Sequence, residues 1–158
     1  MELNPPDEAA MLRLGAALAD SLPDLRSGRL LLALQGELGT GKTTLARGLL
    51  RALGVAGPIR SPTFTLVEPY ETTAGSIYHL DLYRLQGVQA ELDALGYRDY
   101  RDMPGLVIVE WPERGGTALG PVDLRIMIEH RPIGRRIGIT AATDAGRAWQ
   151  GALRYERI

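Results

Sequence analysis

At 158 residues, 45% hydrophobic and 23% charged, the chain has the length and balance of one soluble globular domain with a real core, and a second independent domain is not expected. A formal net charge of -1 gives no basic field for strong sequence-independent nucleic-acid binding, so any RNA connection has to be indirect or local. The absence of cysteine excludes disulfides and thiolate metal sites; with no signal-peptide pattern in MELNPPDEAA and no apolar run near the ~20 residues of a membrane span, a cytoplasmic protein without membrane contact is expected.

Asp7 is placed to cap a helix whose Met11, Leu14, Leu18 and Leu22 keep helical spacing, with Glu8, Arg13 and Asp20 on the other face and Pro23 at its end. The run LLLAL, Leu30 to Leu34, is apolar on both faces and bounded by turn residues, which predicts a buried parallel strand. Beyond a glycine-rich turn, Leu45, Leu49 and Leu53 predict an amphipathic helix with Gly54 as its left-handed cap. Two strand-like runs in SPTFTLVEPYETTAGSIYHLDLYRL, separated by TTAG, predict a hairpin. Side chains alternate along a strand, so Ile77, His79, Asp81 and Tyr83 share one face of the second run while Tyr78, Leu80 and Leu82 share the other. Val88 to Leu95 reads as a short helix closed by Gly96, and LVIVE, Leu106 to Glu110, as another strand apolar on both faces. DLRIMIEH and RRIGITAA around RPIG read as a second hairpin, and a last helix near Asp144 is expected to bury Ala148, Trp149, Ala152 and Leu153.

Between the first strand and the second helix, Gly36-Glu37-Leu38-Gly39-Thr40-Gly41-Lys42-Thr43 fits G-x-x-x-x-G-K-[ST] in the strand-to-helix setting the motif requires. Glycines let such a loop wrap an anion with inward-pointing N–H groups, and the helix adds the positive end of its dipole. Lys42 then reaches the β- and γ-phosphates, and the Thr43 hydroxyl is placed to ligate Mg²⁺. The fold class implied is α/β, a three-layer P-loop NTPase-like mixed sheet with antiparallel hairpins, flanked by helices.

A P-loop needs acids to complete the metal shell and position water. Glu110 ends the buried LVIVE strand, where ligands of open α/β sheets bind, and fits the Walker B role. Asp81 is the second candidate, its alternative being a residue on a solvated sheet face. DMPG, Asp102 to Gly105, has the DxxG pattern of small GTPases but precedes its strand, and no N-K-x-D follows to read guanine, so a GTPase is disfavoured. His79 reads as a hydrogen-bonded strand histidine and not as a metal ligand, and Trp149 as core. Arg131, Arg135 and Arg136 near the RPIG link are open between a solvated turn and a nucleotide or partner contact.

GELGTGKTTLARGLL, SPTFTLVEPY, YHLDLYRL and VEWPERG, in this order and in so short a chain, resemble the TsaE (YjeE) family, the small bacterial ATPase of tRNA threonylcarbamoyladenosine synthesis, from about Asp7 to the last helix. The resemblance implies ATP and Mg²⁺ as cofactors, and TsaD and TsaB as partners in threonylcarbamoylation of the adenosine next to the anticodon in tRNAs reading codons that begin with A, with tRNA reached indirectly through the complex. It also implies Lys42, Asp81 and Glu110 as catalytic residues and Thr43 and Glu110 as metal ligands. Leu38, Gly39, Thr40, Gly41, Lys42, Thr43 and Thr44 are implied as nucleotide-binding, Glu8 near the nucleotide and Arg135 near the base. Thr63 and Thr65 become part of a switch-like segment facing the γ-phosphate, and Trp111 follows the metal-binding glutamate. The lengthened link from Pro23 to Ser27 departs from the family pattern and is expected to change only a local loop. A small-molecule P-loop kinase is the alternative; it would share Lys42 and Thr43 but needs an arginine-bearing lid, for which HRPIGRR is short. A nucleotide-gated adaptor, with hydrolysis as a timer, overlaps with the family role.

Overall fold

The computed structural model describes residues 1–86 and 89–155. Its strands are β1 (Glu2–Leu3), β2 (Arg29–Gln35), β3 (Val67–Thr72), β4 (Gly75–Asp81), β5 (Gly105–Glu110), β6 (Leu124–His130) and β7 (Arg135–Ala141). They form one sheet in the order β1-β7-β6-β2-β5-β4-β3. The helices are α1 (Glu8–Asp20), α2 (Lys42–Ala52), α3 (Gln89–Ala94), α4 (Tyr97–Asp102) and α5 (Asp144–Ala152).

The two runs apolar on both faces, β2 and β5, pair in parallel at the centre, with β6 parallel on one side and β4 on the other. β3 and β7 pair antiparallel with β4 and β6, as the two hairpin patterns predict, and a short antiparallel β1 adds to the edge beside β7. Alternation along β2 feeds two cores. Leu30, Leu32 and Leu34 pack with α1, α2 and α5, while Leu31 and Ala33 pack with Leu92 of α3, Tyr97 of α4 and Leu119. Helices therefore cover both faces, the arrangement that buried parallel strands require.

Asp7 caps α1 by accepting from the Ala10 N–H at 2.8 Å, and α1 ends before Pro23, where the Ser21 hydroxyl donates to the Ala17 carbonyl at 2.8 Å. Gly54, with φ 89°, closes α2. The lengthened link forms a single 3₁₀ turn, Leu25–Ser27, that buries Leu25. α1 and α2 cross where glycine meets glycine: a Cβ on Gly48 would lie 2.3 Å from the Leu12 carbonyl oxygen, and one on Gly15 would lie 2.3 Å from that of Leu45.

The last helix differs from expectation. Ala148 and Ala152 are exposed, and the buried seam runs through Gly146, Trp149 and Leu153, because Gly146 lies against the Asp123 backbone and the Trp149 indole N–H donates to the Leu18 carbonyl at 2.9 Å. Of the short helix expected over Val88 to Leu95, Val88 lies outside the described residues and α3 covers Gln89–Ala94, followed by Gly96 in the left-handed region. A second short helix, α4, follows directly.

Candidate functional site

The carboxyl ends of β2, β5 and β4 lie side by side, with Leu34 paired to Glu110 and Glu110 to Asp81. The glycine-rich loop leaves β2 there and turns into α2. Gly36 has φ 151° with no space for a side chain, since a Cβ would meet the Ile128 carbonyl oxygen at 2.3 Å; Gly41, with φ 105°, leads into Lys42. Both positions require glycine.

Leu38, Gly39, Gly41, Lys42, Thr43, Thr44, Asp81 and Glu110, all singled out from the sequence, line one cleft of about 360 Å³. The Lys42 ammonium donates to the carbonyls of Gly36 at 2.7 Å and Glu37 at 2.8 Å, and lies 4.0 Å from the centre of the Trp111 ring. Burial pushes its pKa below the ordinary 10.5, opposed by the charges of Glu110, Glu113 and Asp81. Trp111 holds its place with φ 59°, uncommon for a non-glycine residue, while its ring packs on Tyr83 at 4.8 Å and its backbone N–H donates to the Leu34 carbonyl. The Glu110 carboxylate is only 2% exposed, and each of its oxygens lies 3.0 Å from the Thr43 hydroxyl.

Asp81 does not lie on a solvated face. It is 5% exposed; one carboxylate oxygen accepts from the Ser61 hydroxyl and the other from the Tyr83 N–H at 2.9 Å, and its own N–H donates to the Leu66 carbonyl at 3.1 Å. Asp81 thereby fastens both ends of the segment 61–66. Thr63 of that segment lines the cleft, whereas Thr65 is exposed and lines only the neighbouring groove, which Ser61 and Thr63 share with Phe64, Glu68 and Tyr70. Phe64 is 85% exposed, with the Arg84 guanidinium 4.6 Å from its ring.

An adjoining cleft of about 280 Å³ behind the loop contains Glu8, Thr40 and Arg135, together with Gly39, Gly41 and Thr44 of the loop itself. Arg135 donates to the carbonyls of Thr40 at 2.8 Å and Gly39 at 3.2 Å, an intramolecular contact that neither of the two readings left open had named; Arg136 instead pairs with Glu2 and Glu129 at the surface. Thr40 turns its hydroxyl inward to the Glu37 carbonyl.

The profile of the threonylcarbamoyl adenosine biosynthesis protein TsaE matches residues 5–137. The chain belongs to the TsaE family. The tRNA threonylcarbamoyladenosine biosynthesis protein TsaE of Haemophilus influenzae is 41% identical over 143 residues, which cover 90% of each chain. The protein of the same name from Synechocystis is 47% identical over 116 residues, 72% of this chain and 71% of that protein. The crystal structure of YdiB from Bacillus subtilis superposes with a TM-score of 0.77 at 25% identity, covering 97% of this chain and 93% of that one, so the TsaE fold described above is also a YdiB-like fold. No helix among the described residues of this TsaE-family chain is long and apolar enough to cross a membrane.

Two cleft residues, Ser61 and Tyr83, lie within SPTFTLVEPY and YHLDLYRL but were not singled out for the site. His79, read from the sequence as a hydrogen-bonded strand histidine, is buried beneath the cleft with that bond to Glu110: its Nε2 lies 2.9 Å from Oε1. The signal was present in the alternation that puts His79 and Asp81 on one face.

Proposed function

We propose that this chain is a Mg²⁺-dependent ATP-binding and ATP-hydrolysing protein, a single P-loop ATPase domain, acting with TsaD and TsaB in threonylcarbamoylation of the adenosine next to the anticodon in tRNAs reading codons that begin with A. Membership of the TsaE family supports the pathway. The observation that carries the ATP reading is the convergence of Lys42, Thr43 and Glu110 in one cleft at the carboxyl end of the parallel strands, on a glycine loop whose φ values only glycine adopts readily.

The Lys42 ammonium leaves the carbonyls of Gly36 and Glu37 and donates instead to β- and γ-phosphate oxygens, a charge-assisted exchange made easier because those carbonyls are neutral. Loop N–H groups from Leu38 to Thr44 hold the remaining phosphate oxygens, and Glu8 and Arg135 flank the nucleoside side. The donor set fits a Mg²⁺ that keeps waters and is shared with phosphates: Thr43 and Glu110 would supply two oxygens, and among the described residues no cluster of three or more histidine or acidic side chains offers a dedicated cage. Bound there, Mg²⁺ would neutralise charge building on the β- and γ-oxygens. Asp81 orients the attacking water and, through Ser61, ties that step to the segment 61–66. The exposed Phe64 on this segment gives a partner protein a point from which to act on Thr63.

Arg135 is held on the loop carbonyls, which supports an ATPase over a kinase with an arginine-bearing lid. The test is ATP hydrolysis measured for the protein alone and with a TsaB–TsaD pair. Slow turnover alone and a changed rate with the pair are expected; a full rate that ignores the pair, or no hydrolysis in either case, refutes the reading.

A further inference from the structure

We propose that His79 is a positioning residue for Glu110, holding its carboxylate toward the Thr43 hydroxyl and away from Lys42. This rests on reading Glu110 as the acid on the metal side of the site. On β4, His79 stands beside Ile108 and Asp81 beside Glu110, all on the face covered by α2. The imidazole has no solvent exposure; Nε2 lies 2.9 Å from Glu110 Oε1, and Nδ1 is buried without a hydrogen-bond partner. With an ionised carboxylate as acceptor, a neutral imidazole presents its hydrogen at Nε2 and leaves Nδ1 as the unpartnered lone-pair nitrogen.

Packing alone does not account for the ring. The neighbouring Ile77 and Ile108 are aliphatic, and a leucine would fill such a place with no unpartnered nitrogen. What the histidine adds is one donor, spent on Glu110. Among the described residues, the glutamate side chain has one other hydrogen-bond partner, the Thr43 hydroxyl, whose single hydrogen serves both carboxylate oxygens. Lys42 attracts the same carboxylate. Without the imidazole, Glu110 is free to turn away from the Thr43 hydroxyl, which removes the metal-side oxygen. The role is that of groups which orient a ligand without touching the metal, whose loss typically costs 10- to 100-fold in metal affinity or activity.

The experiment uses the full chain with His79→Leu, His79→Asn and His79→Gln. ATP affinity is measured by calorimetry in EDTA and in excess Mg²⁺, and turnover with the TsaB–TsaD pair. Leu and Asn are expected to lose about 10- to 100-fold of the Mg²⁺-dependent gain while keeping wild-type affinity in EDTA. Gln, whose amide nitrogen reaches the place of Nε2, is expected to restore most of it. A gain that Leu and Asn retain, or that Gln loses as fully as they do, overturns the inference and leaves the reading of Glu110 intact. A wild-type protein with no Mg²⁺-dependent gain overturns both. Nitrogen-15 spectra of wild-type histidines test the same point without any variant: Nε2 protonated and Nδ1 bare is expected for His79, and the reverse tautomer overturns the assignment.

Discussion

Replacing Glu110 by Gln keeps the volume of a side chain that is 2% exposed and removes its charge. Two donors, the Thr43 hydroxyl and His79 Nε2, now meet a neutral amide. Hydrogen bonds to a charged group contribute about 1.5–3 kcal/mol against about 0.5–1.5 for neutral ones, so the exchange loses roughly 2 kcal/mol over the pair. Against this, the buried carboxylate no longer bears a desolvation penalty of several kcal/mol. The two nearly offset, and the variant is expected to unfold within about 1 kcal/mol of wild type, some 2–4 °C in Tm for a chain of this size. Function moves the other way. Affinity for ATP in EDTA should hold or improve, because an anion beside the phosphates is gone. The Mg²⁺-dependent gain should vanish, and partner-stimulated hydrolysis should fall about 10²- to 10³-fold, the scale of losing one preorganised charge-stabilising group. Thermal unfolding, calorimetry with and without Mg²⁺, and single-turnover hydrolysis read the three parts. Wild-type hydrolysis with an undiminished Mg²⁺ gain would reduce Glu110 to an ordinary residue at a strand end and refute the reasoning.

Lys42→Met is expected to lose triphosphate affinity while retaining the fold, read by competition binding; unchanged affinity rejects the role. Lys42 also predicts a pH effect: its folded pKa lies below 10.5, so in the window between the two values the unfolded chain holds a proton that the folded chain has released. Stability therefore rises as pH climbs toward 10.5, and denaturant titrations should find this increment in wild type and not in Lys42→Met. Asp81→Ala is expected to bind ATP and not cleave it, and to speed amide hydrogen exchange at Leu66 and its neighbours; near-wild-type turnover removes Asp81 from the mechanism. Gly48→Ala should destabilise by about 1–2 kcal/mol in urea, since overpacking against the α1 backbone costs more than the ~1 kcal/mol of helix propensity gained; a more stable variant refutes the close crossing.

The parts of the molecule legible in the sequence are those where local physics repeats a signal. β2 and β5 are apolar on both faces, and only a strand covered twice needs that; the loop between β2 and α2 carries a spaced glycine and lysine pattern; alternation alone put Asp81 on a defined face. What was illegible depends on a partner distant in the chain. β1 has two residues, Glu2 and Leu3, too few to show a period, and exists because β7 pairs with it. α4 reads YRDYRD, polar at nearly every position, and buries only Tyr97. Gly15 and Gly48 look like weak points in two helices until the helices touch. The rotation of α5 was missed because Ala148 and Ala152 seem as apolar as its buried side, while the decisive contact is the Trp149 indole on the Leu18 carbonyl, 131 residues away in sequence. The same holds within the cleft, where Lys42 and Thr43 were visible from their motif and Ser61 only from Asp81.

The charged groups of the cleft, and Arg135 behind the loop, already have internal partners: Lys42 the carbonyls of Gly36 and Glu37, Glu110 the Thr43 hydroxyl and His79, Asp81 the Ser61 hydroxyl and Tyr83 N–H, Arg135 the carbonyls of Thr40 and Gly39. Binding a triphosphate is then an exchange of hydrogen bonds, and its gain is the difference between charged phosphate and neutral carbonyl acceptors, about 1 kcal/mol or somewhat more per bond, and not the full strength of the new contacts. Lys42 can make that exchange alone, because its present acceptors belong to the loop that receives the phosphates. Asp81 keeps its partners. Each carboxylate oxygen has a second lone pair, so a water can join without releasing Ser61, and Asp81 then links that water to a segment whose other end hangs on the Asp81 N–H through Leu66. On the function proposed above, nucleotide binding and cleavage draw on different groups, and the exposed Phe64 lies on the segment tied to cleavage, where an outside surface can act on the rate.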